Sequence, residues 1–203
     1  MEHFDMELDV LKQKLLTMAS HAETAVNEAL RALLARLRAE GIHTTLQTNG
    51  SIPWKELELI ARDVSLFHFD LKGIDPDKHR ANTGVGNELA LANARRLSED
   101  GYPVVFRIPM VPGYNDSVDD LLGLKSFLDG IGARFADVLP YHNLVERKLE
   151  LTGISGGRLS LESMSRADAE EKARALEGEG RIVTVGGESI RERQGSKRKS
   201  RAR

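Results

Sequence analysis

A repeated order of one strand-like stretch followed by one helical stretch constrains the fold of this chain most strongly. Four stretches rich in β-branched and aromatic residues occupy residues 42–50, 64–72, 103–110 and 136–142. The segments that join them are long enough to cross over between parallel strands. A weaker candidate for a fifth strand follows at residues 181–185. We predict an α/β fold, a partial (β/α) barrel of four to five parallel strands, because so few units cannot close an eight-stranded barrel.

The segments between the strands predict helices, which begin and end at glycine, proline or capping residues. Asp75 stands immediately before Pro76 and is the expected N-terminal cap of one of them. The helices are expected at residues 53–61, 75–80, 87–99, 118–128 and 165–177.

A long helix is predicted before the first of these units. Residues 4–38 contain no glycine or proline and are good helix formers. A heptad-like apolar stripe, which requires a helical partner for residues 4–29, consists of Phe4, Leu8, Leu11, Leu15, Met18, Ala22, Ala25 and Ala29. The later leucines, from Leu30 to Leu37, lie about 80° around the helix from this stripe. Either one amphipathic helix crosses between two packing partners, or two sequences of different origin meet at residues 30–34.

Composition excludes several kinds of chemistry. The chain has 203 residues and no cysteine, which excludes disulfides, a cysteine nucleophile and any cysteine-ligated iron–sulfur cluster held by this chain alone. Its formal charge of −2 offers no whole-chain argument for nucleic acid or an anionic membrane. No long apolar run or signal-peptide pattern occurs, so we expect a cytoplasmic chain without a membrane partner. Residues 191–203 hold seven lysines or arginines, which we interpret as a disordered tail rather than a nucleic-acid-binding arm.

Polar side chains follow the predicted strands at their carboxyl ends, where α/β folds place ligand sites. Asp70 and Lys72 are two positions apart and therefore face the same side of a strand. Arg107 lies among valine and isoleucine, where an unpaired guanidinium would be costly. We therefore expect its side chain to point to the same polar site as Asp70 and Lys72. His142 follows a Pro-Tyr pair at the end of the fourth strand. These residues predict a site for a small zwitterionic ligand. No metal site is predicted, because no cysteine or second histidine stands at ligand spacing near the strand histidines.

Five segments occur in an order and at separations that resemble one known family. They are 41–50 (GIHTTLQTNG), 69–72 (FDLK), 79–84 (HRANTG), 107–116 (RIPMVPGYND) and 139–142 (LPYH). On these segments the chain resembles the glycyl-radical-enzyme activating proteins, the radical S-adenosylmethionine (SAM) enzymes typified by pyruvate formate-lyase activating enzyme. The resemblance implies a radical SAM barrel, SAM as the cofactor and a glycyl radical enzyme as the partner.

The resemblance also implies roles for the polar residues at the strand ends. By position, Thr48 and Asp70 would face the SAM amino group, while Lys72 and His142 would reach its carboxylate. These assignments pair opposite charges, because a carboxylate accepts hydrogen bonds from an ammonium and a cationic side chain pairs with a carboxylate. Arg107 would lie near the nucleoside and the partner's glycyl-radical loop.

Parts of the family's machinery do not occur in the sequence. The family cleaves SAM reductively with a four-iron, four-sulfur cluster on a Cys-x-x-x-Cys-x-x-Cys loop, and hydrogen is then abstracted from a glycine of the partner. A Gly-Gly-Glu motif helps to hold the SAM amino group. The cysteine loop is missing, the Gly-Gly-Glu at residues 186–188 lies near the wrong end of the chain, and Gln47 stands where the family usually has aspartate. We therefore expect an activase by descent, truncated and inactive alone, with SAM binding weak or lost.

Residues 1–30 resemble a different family, namely the first helix of the PhoU phosphate-transport regulators. The expected organisation is a PhoU-like helix, a partial radical SAM barrel, a C-terminal helix with a possible short strand, and a basic tail, at residues 1–32, 33–153, 154–189 and 190–203 respectively. Three alternatives stay open: an interaction module, such as the C-terminal half of a split activase; a PhoU-like regulator fragment; or a fused reading frame without function.

Overall fold

The computed structural model describes residues 2–143 and 161–190. The chain divides into two compact units. One comprises Met1–Thr44 and Lys55–Ser65 and is helical, and the other comprises Thr45–Trp54 and Leu66–Arg203 and contains the sheet. The predicted break around residues 153–157 and the predicted disordered tail lie outside the described residues.

The helical unit contains one long helix, α1 (Glu2–Ala39), and nearly all of α2 (Trp54–Ala61). The prediction of a long helix is confirmed, and α1 continues without a break through residue 32, where the sequence analysis placed a boundary. The helix ends at Gly41, whose φ of 72° lets the amide of Ile42 donate to the carbonyl of Leu37 at 2.9 Å. The buried apolar side chains of this unit are Leu34, Leu57, Ala61 and Val64.

The second unit contains one six-stranded sheet whose strand order follows the chain. Its strands are β1 (Thr45–Thr48), β2 (Leu66–Asp70), β3 (Val104–Met110), β4 (Phe135–Pro140), β5 (Ile182–Val185) and β6 (Glu188–Ser189). The first five pair in parallel, and only β6 is antiparallel to its neighbour. The predicted α/β fold with four to five parallel strands is therefore confirmed.

The sequence analysis did not anticipate β6. It pairs with β5 through a two-residue turn at Gly186 and Gly187, whose φ values are 59° and 82°. Positive φ at both central residues is the geometry of a tight hairpin turn, for which a Gly-Gly pair is well suited. In the Gly-Gly-Glu at residues 186–188, the two glycines are thus the turn of a hairpin and Glu188 begins β6.

Among its described residues, the second unit also contains four helices, α3 (Pro76–Thr83), α4 (Glu88–Glu99), α5 (Val118–Gly130) and α6 (Arg166–Ala175). The side chain of Asp75 accepts hydrogen bonds from two amides at the start of α3, and Ser117 and Asp120 form a capping box on α5. Lys78 of α3 bonds Asp120 of α5 at 2.8 Å. Partial burial raises the pKa of Asp120, but the hydrogen bonds from Lys78 and Ser117 outweigh it, so this pKa lies below its usual value.

The two faces of the sheet differ in burial. Along β2 and β3 the side chains alternate, and one set is almost completely buried, with Phe67, Phe69, Phe106 and Ile108 at 0–1% exposure. Because right-handed crossovers place consecutive helices on the same side, this apolar face is the one that α4, α5 and α6 cover. The opposite face, which contains Arg107, is only half-buried. We call it the open face.

A buried arginine joins α5 to the end of the sheet. Arg181 is 3% exposed and donates to the carbonyls of Ala133 and Leu176 and, at 2.7 Å, to the carboxylate of Asp129. The hydrogen bonds from Lys125 and Arg181 hold the pKa of Asp129 below its usual value. Among the described residues, no helix is long and apolar enough to span a membrane.

Candidate functional site

Four polar side chains lie side by side across the centre of the open face. Asp70 in β2 is in register with Arg107 in β3, which is in register with Asp137 in β4 and, beyond it, Thr184 in β5. Residues in register on parallel strands point to the same face. Oδ1 of Asp137 accepts from the hydroxyl of Thr184 at 2.6 Å and from the amide of Gly187 at 2.9 Å. Asp70 differs, because one of its oxygens is buried without a hydrogen-bond partner among the described residues.

The carboxylate of Asp70 is incompletely paired. Its Oδ2 accepts a hydrogen bond from Nε2 of Gln47 at 3.4 Å. Its Oδ1 lies 3.9 Å from Nη1 of Arg107, an ion-pair distance that is too long for a hydrogen bond. Oδ1 is also buried and has no hydrogen-bond partner among the described residues. A buried carboxylate oxygen without a donor is costly, so this atom is available to a cationic or hydrogen-bonding ligand.

Gln47 stands where the resemblance implies an aspartate. Its amide donates to Asp70, which a carboxylate at the same position could not do without a shared proton. Gln47 is therefore a neutral donor beside Asp70, where a carboxylate would add a second negative charge.

Asp70 opens into a cleft at the carboxyl ends of β1 and β2, which we call the strand-end cleft. Its volume is about 120 Å³. Lys72 is exposed at its rim, two residues beyond the end of β2, and Asn49 and Ser51 line it from the loop after β1. Asp70 and Lys72 thus line the same cleft.

His79 lines both the strand-end cleft and a second cleft of about 280 Å³ that also contains Tyr114. It is 7% exposed, and its Nδ1 lies 2.9 Å from the carbonyl of Val85 and 3.1 Å from the hydroxyl of Thr83. Because a carbonyl only accepts, the hydrogen bond to Val85 assigns the proton to Nδ1 and leaves Nε2 as the acceptor of the neutral ring. Residues 79–84 are one of the five segments on which the family resemblance rests, but the sequence did not indicate that His79 is buried.

Three buried asparagines hold the loops around the strand-end cleft. Asn93 donates to the carbonyls of Gly50 and Ile52, and Asn87 donates to two carbonyls of the loop after β2. Asn115 donates to the carbonyl of Lys72 at 3.0 Å and to the carbonyl of Pro109, near the end of β3. The sequence analysis did not single out these residues, because a polar residue on a helix or in a turn is usually exposed.

Three of the five predicted site residues, Thr48, Arg107 and His142, are not among those that line the cleft. Thr48 is in register with Phe69, on the apolar face, and its hydroxyl accepts from the amide of Gly50 at 3.0 Å. His142 is exposed in the loop after β4 and is not among the residues that line the cleft. The SAM-binding roles of all five residues stay predictions; Asp70 and Lys72 line the cleft, and Arg107 is in register with Asp70.

The resemblance implies two groups, SAM and an iron–sulfur cluster, and the residues present fit only the first. The strand-end cleft fits the amino-acid end of SAM, because the unpaired Oδ1 of Asp70 suits an ammonium and Lys72 suits a carboxylate. The iron–sulfur cluster does not fit, because the chain has no cysteine and the described residues contain no group of three or more potential metal ligands.

Comparison with known proteins identifies the kind of protein to which this chain is similar. The profile described as the Radical SAM superfamily matches residues 8–124. The (2S)-3-sulfopropanediol sulfolyase activating enzyme of Bilophila wadsworthia is 32% identical over 156 residues, which is 76% of this chain and 51% of that enzyme. The pyruvate formate-lyase-activating enzyme of Staphylococcus aureus is 34% identical, over 70% of this chain and 58% of that enzyme. The chain therefore spans about half the length of the curated relatives it matches.

A solved structure agrees with these relatives. The crystal structure of a domain of pyruvate-formate lyase-activating enzyme from Bacteroides vulgatus superimposes with a TM-score of 0.66 at 25% identity, covering 80% of this chain and 92% of that domain. The relatives favour the activating-enzyme interpretation over the alternatives. The profile match covers most of the PhoU-like segment and crosses residues 30–34, so the comparisons support neither the PhoU resemblance nor a junction of two sequences there.

Proposed function

This chain belongs to the radical SAM superfamily, and we propose that it descends from the activating enzymes of glycyl radical enzymes and keeps one half of their SAM-binding mouth. The observation that carries this proposal is the buried, unpaired Oδ1 of Asp70 in a cleft whose rim holds Lys72. The named relatives, which activate a sulfolyase and a pyruvate formate-lyase, support a glycyl radical enzyme as the partner.

In the proposed complex the strand-end cleft receives the amino-acid end of SAM. Oδ1 of Asp70 accepts a hydrogen bond from the ammonium, and Lys72 pairs with the carboxylate. A cleft of about 120 Å³ is too small to enclose a whole cofactor, for which pockets of roughly 300 Å³ or more are usual. The nucleoside therefore extends along the open face, beside Arg107.

We propose further that these 203 residues bind SAM without cleaving it. Reductive cleavage requires the cluster, and no thiolate in the sequence can hold one. The remaining tasks of the chain's own residues are to bind and orient the cofactor, and we expect Arg107 to contact either the nucleoside or an approaching partner loop.

Titration of the chain with SAM by isothermal calorimetry tests the binding proposal. We expect saturable binding that weakens roughly 10-fold or more in Lys72→Ala and in Asp70→Asn, because each change removes a charged hydrogen-bond partner. Lys55→Ala is the matched control, since Lys55 is exposed and does not line the cleft. S-adenosylhomocysteine, which has the same amino-acid end, should show the same dependence. 5′-Methylthioadenosine, which lacks that end, should bind equally well to wild type and variants.

Binding that is absent from the wild type, or that is unchanged in both variants, contradicts the proposal. The statement about cleavage has its own test, which is anaerobic reconstitution with iron and sulfide. We expect no stoichiometric cluster and no cleavage of SAM under reducing conditions. A stoichiometric cluster on this chain would refute that statement and leave the binding proposal untouched.

A further inference from the structure

The long helix α1 exposes a row of large apolar side chains. Leu11, Leu15 and Met18 are 53%, 56% and 66% exposed, and Val26 on a flank of this row is 66% exposed. Within the part of α1 whose side chains the structure describes, only Leu34 is buried. An apolar stripe of this length on a helix surface is typical of a helix–helix interface.

The stripe changes in size along the helix. The heptad-like row continues from the three large side chains into Ala22, Ala25 and Ala29, all of which are exposed. A second copy of α1 running antiparallel places large against small in every one of these layers. Leu11 then faces the partner's Ala29, Leu15 faces the partner's Ala25, and Met18 faces the partner's Ala22. This arrangement fills space evenly, as an interface packed at interior density requires.

The charges beside the stripe agree with the same register. Lys14 and Glu28 both lie on one flank of the stripe and are exposed. When Leu15 faces the partner's Ala25, Lys14 lies beside the partner's Glu28, and the two-fold axis repeats the pair. A parallel arrangement in register would instead place Lys14 beside the partner's Ala19, so no such charge pair would form.

We propose that α1 is a dimerisation element that pairs antiparallel with α1 of a second copy of this chain. The interface is isologous, with its two-fold axis near residue 20, the mean of each pair of facing positions. Large apolar side chains from each helix fill the spaces above the alanines of the other, and two Lys14–Glu28 pairs set the direction. This inference concerns only the helical unit and does not depend on SAM binding.

Charge exchange tests the proposal. Lys14→Glu and Glu28→Lys each place two like-charged pairs in the dimer, so we expect each to raise the dissociation constant on the order of 10-fold. The double variant restores both pairs. An equimolar mixture of the two single variants should form a heterodimer as tight as the wild type, because its charges are complementary again. Size-exclusion chromatography with light scattering, over a concentration series, measures the dimer dissociation constant of the two single variants, the double variant and the mixture.

Cross-linking tests the direction of pairing. The chain has no cysteine, so an introduced thiol is the only one present. A mixture of Lys14→Cys and Glu28→Cys chains should be linked to each other by a short bifunctional reagent. In a parallel dimer in register these positions would be roughly 21 Å apart along the helix axis, and a short reagent would not link them.

Leu15→Glu serves as a strong disruption at an exposed position, and we expect a monomer with unchanged helical content in circular dichroism. A wild-type chain that is monomeric at every concentration, a parallel cross-linking pattern, or dimers indifferent to both Leu15→Glu and the charge exchange would each overturn the proposal.

Discussion

Replacing Asn115 should loosen the end of β2 and the end of β3 together. Asn115 is 5% exposed, and it donates to the carbonyls of Lys72 and Pro109 at 3.0 and 2.8 Å. Its Oδ1 accepts from the amide of Val111 at 2.8 Å. Asn115→Ala leaves three backbone groups without partners. At about 0.5–1.5 kcal/mol for each hydrogen bond, we expect a loss of roughly 2–4 kcal/mol in the free energy of unfolding.

The variant Asn115→Asp distinguishes the effect of the lost hydrogen bonds on stability from the effect of the lost side-chain volume. Aspartate keeps the acceptor for Val111 but directs a second carboxylate oxygen at two carbonyl oxygens. At pH 7 this variant should be less stable than Asn115→Ala, and its stability should recover as the pH falls and the new carboxyl protonates and can donate.

Urea unfolding followed by circular dichroism at pH 7 and at lower pH measures these differences. Asn82→Ala is the matched control, because Asn82 is exposed on α3 and its replacement should change stability by less than about 0.5 kcal/mol. The reasoning fails if Asn115→Ala behaves like the control, or if Asn115→Asp is as stable as Asn115→Ala at every pH.

Three further changes test other parts of the fold. Gly50→Ala should cost roughly 2–4 kcal/mol in unfolding free energy, because Gly50 has a φ of 67° and a β-carbon there would overlap the buried ring of Phe69; a wild-type urea midpoint would contradict this. Arg181→Met should cost about 3 kcal/mol, since it removes three hydrogen bonds from a buried guanidinium, and a neutral result would show that water replaces them. The pKa of Asp120 is lowered on folding, so the stability that its carboxylate contributes is present above pH 3.8 and is lost as the pH falls through the lower folded-state pKa. The wild type should therefore exceed Lys78→Met in stability at pH 7 but lose that advantage at low pH, and a constant difference would refute the argument.

The strands and helices of this chain could be predicted because their sequences agree with their environments. β-Branched and aromatic runs became β1 to β5, and glycine or proline marked most helix ends. The main error in length is at the first strand, predicted at residues 42–50 but observed as Thr45–Thr48. The amide of Ile42 is taken by the carbonyl of Leu37 as α1 ends, so the chain cannot join the sheet until later. The strand propensity of a short sequence does not show that the end of a helix competes with the sheet for the same backbone amide.

The candidate site could be predicted only in part, because register between strands is a property of the sheet and not of one strand. Alternation associated Asp70 with Lys72 on one side of the chain, and both residues line the strand-end cleft. It could not show that Thr48 is in register with Phe69 and that Arg107 is in register with Asp70. Nor could it show that asparagines on α4 are buried, since their partners are carbonyls of loops more than ten residues away.

The order of the strands has a consequence for how such a sheet is assembled. Because β1 to β6 lie side by side in the order in which they occur along the chain, each new strand has its partner already present when it is synthesised. No later strand has to insert between two earlier ones. The loop that closes when each strand pairs is therefore as short as a parallel sheet allows. A protein of this topology can grow at its edge, and any continuous length of its chain corresponds to a continuous piece of sheet.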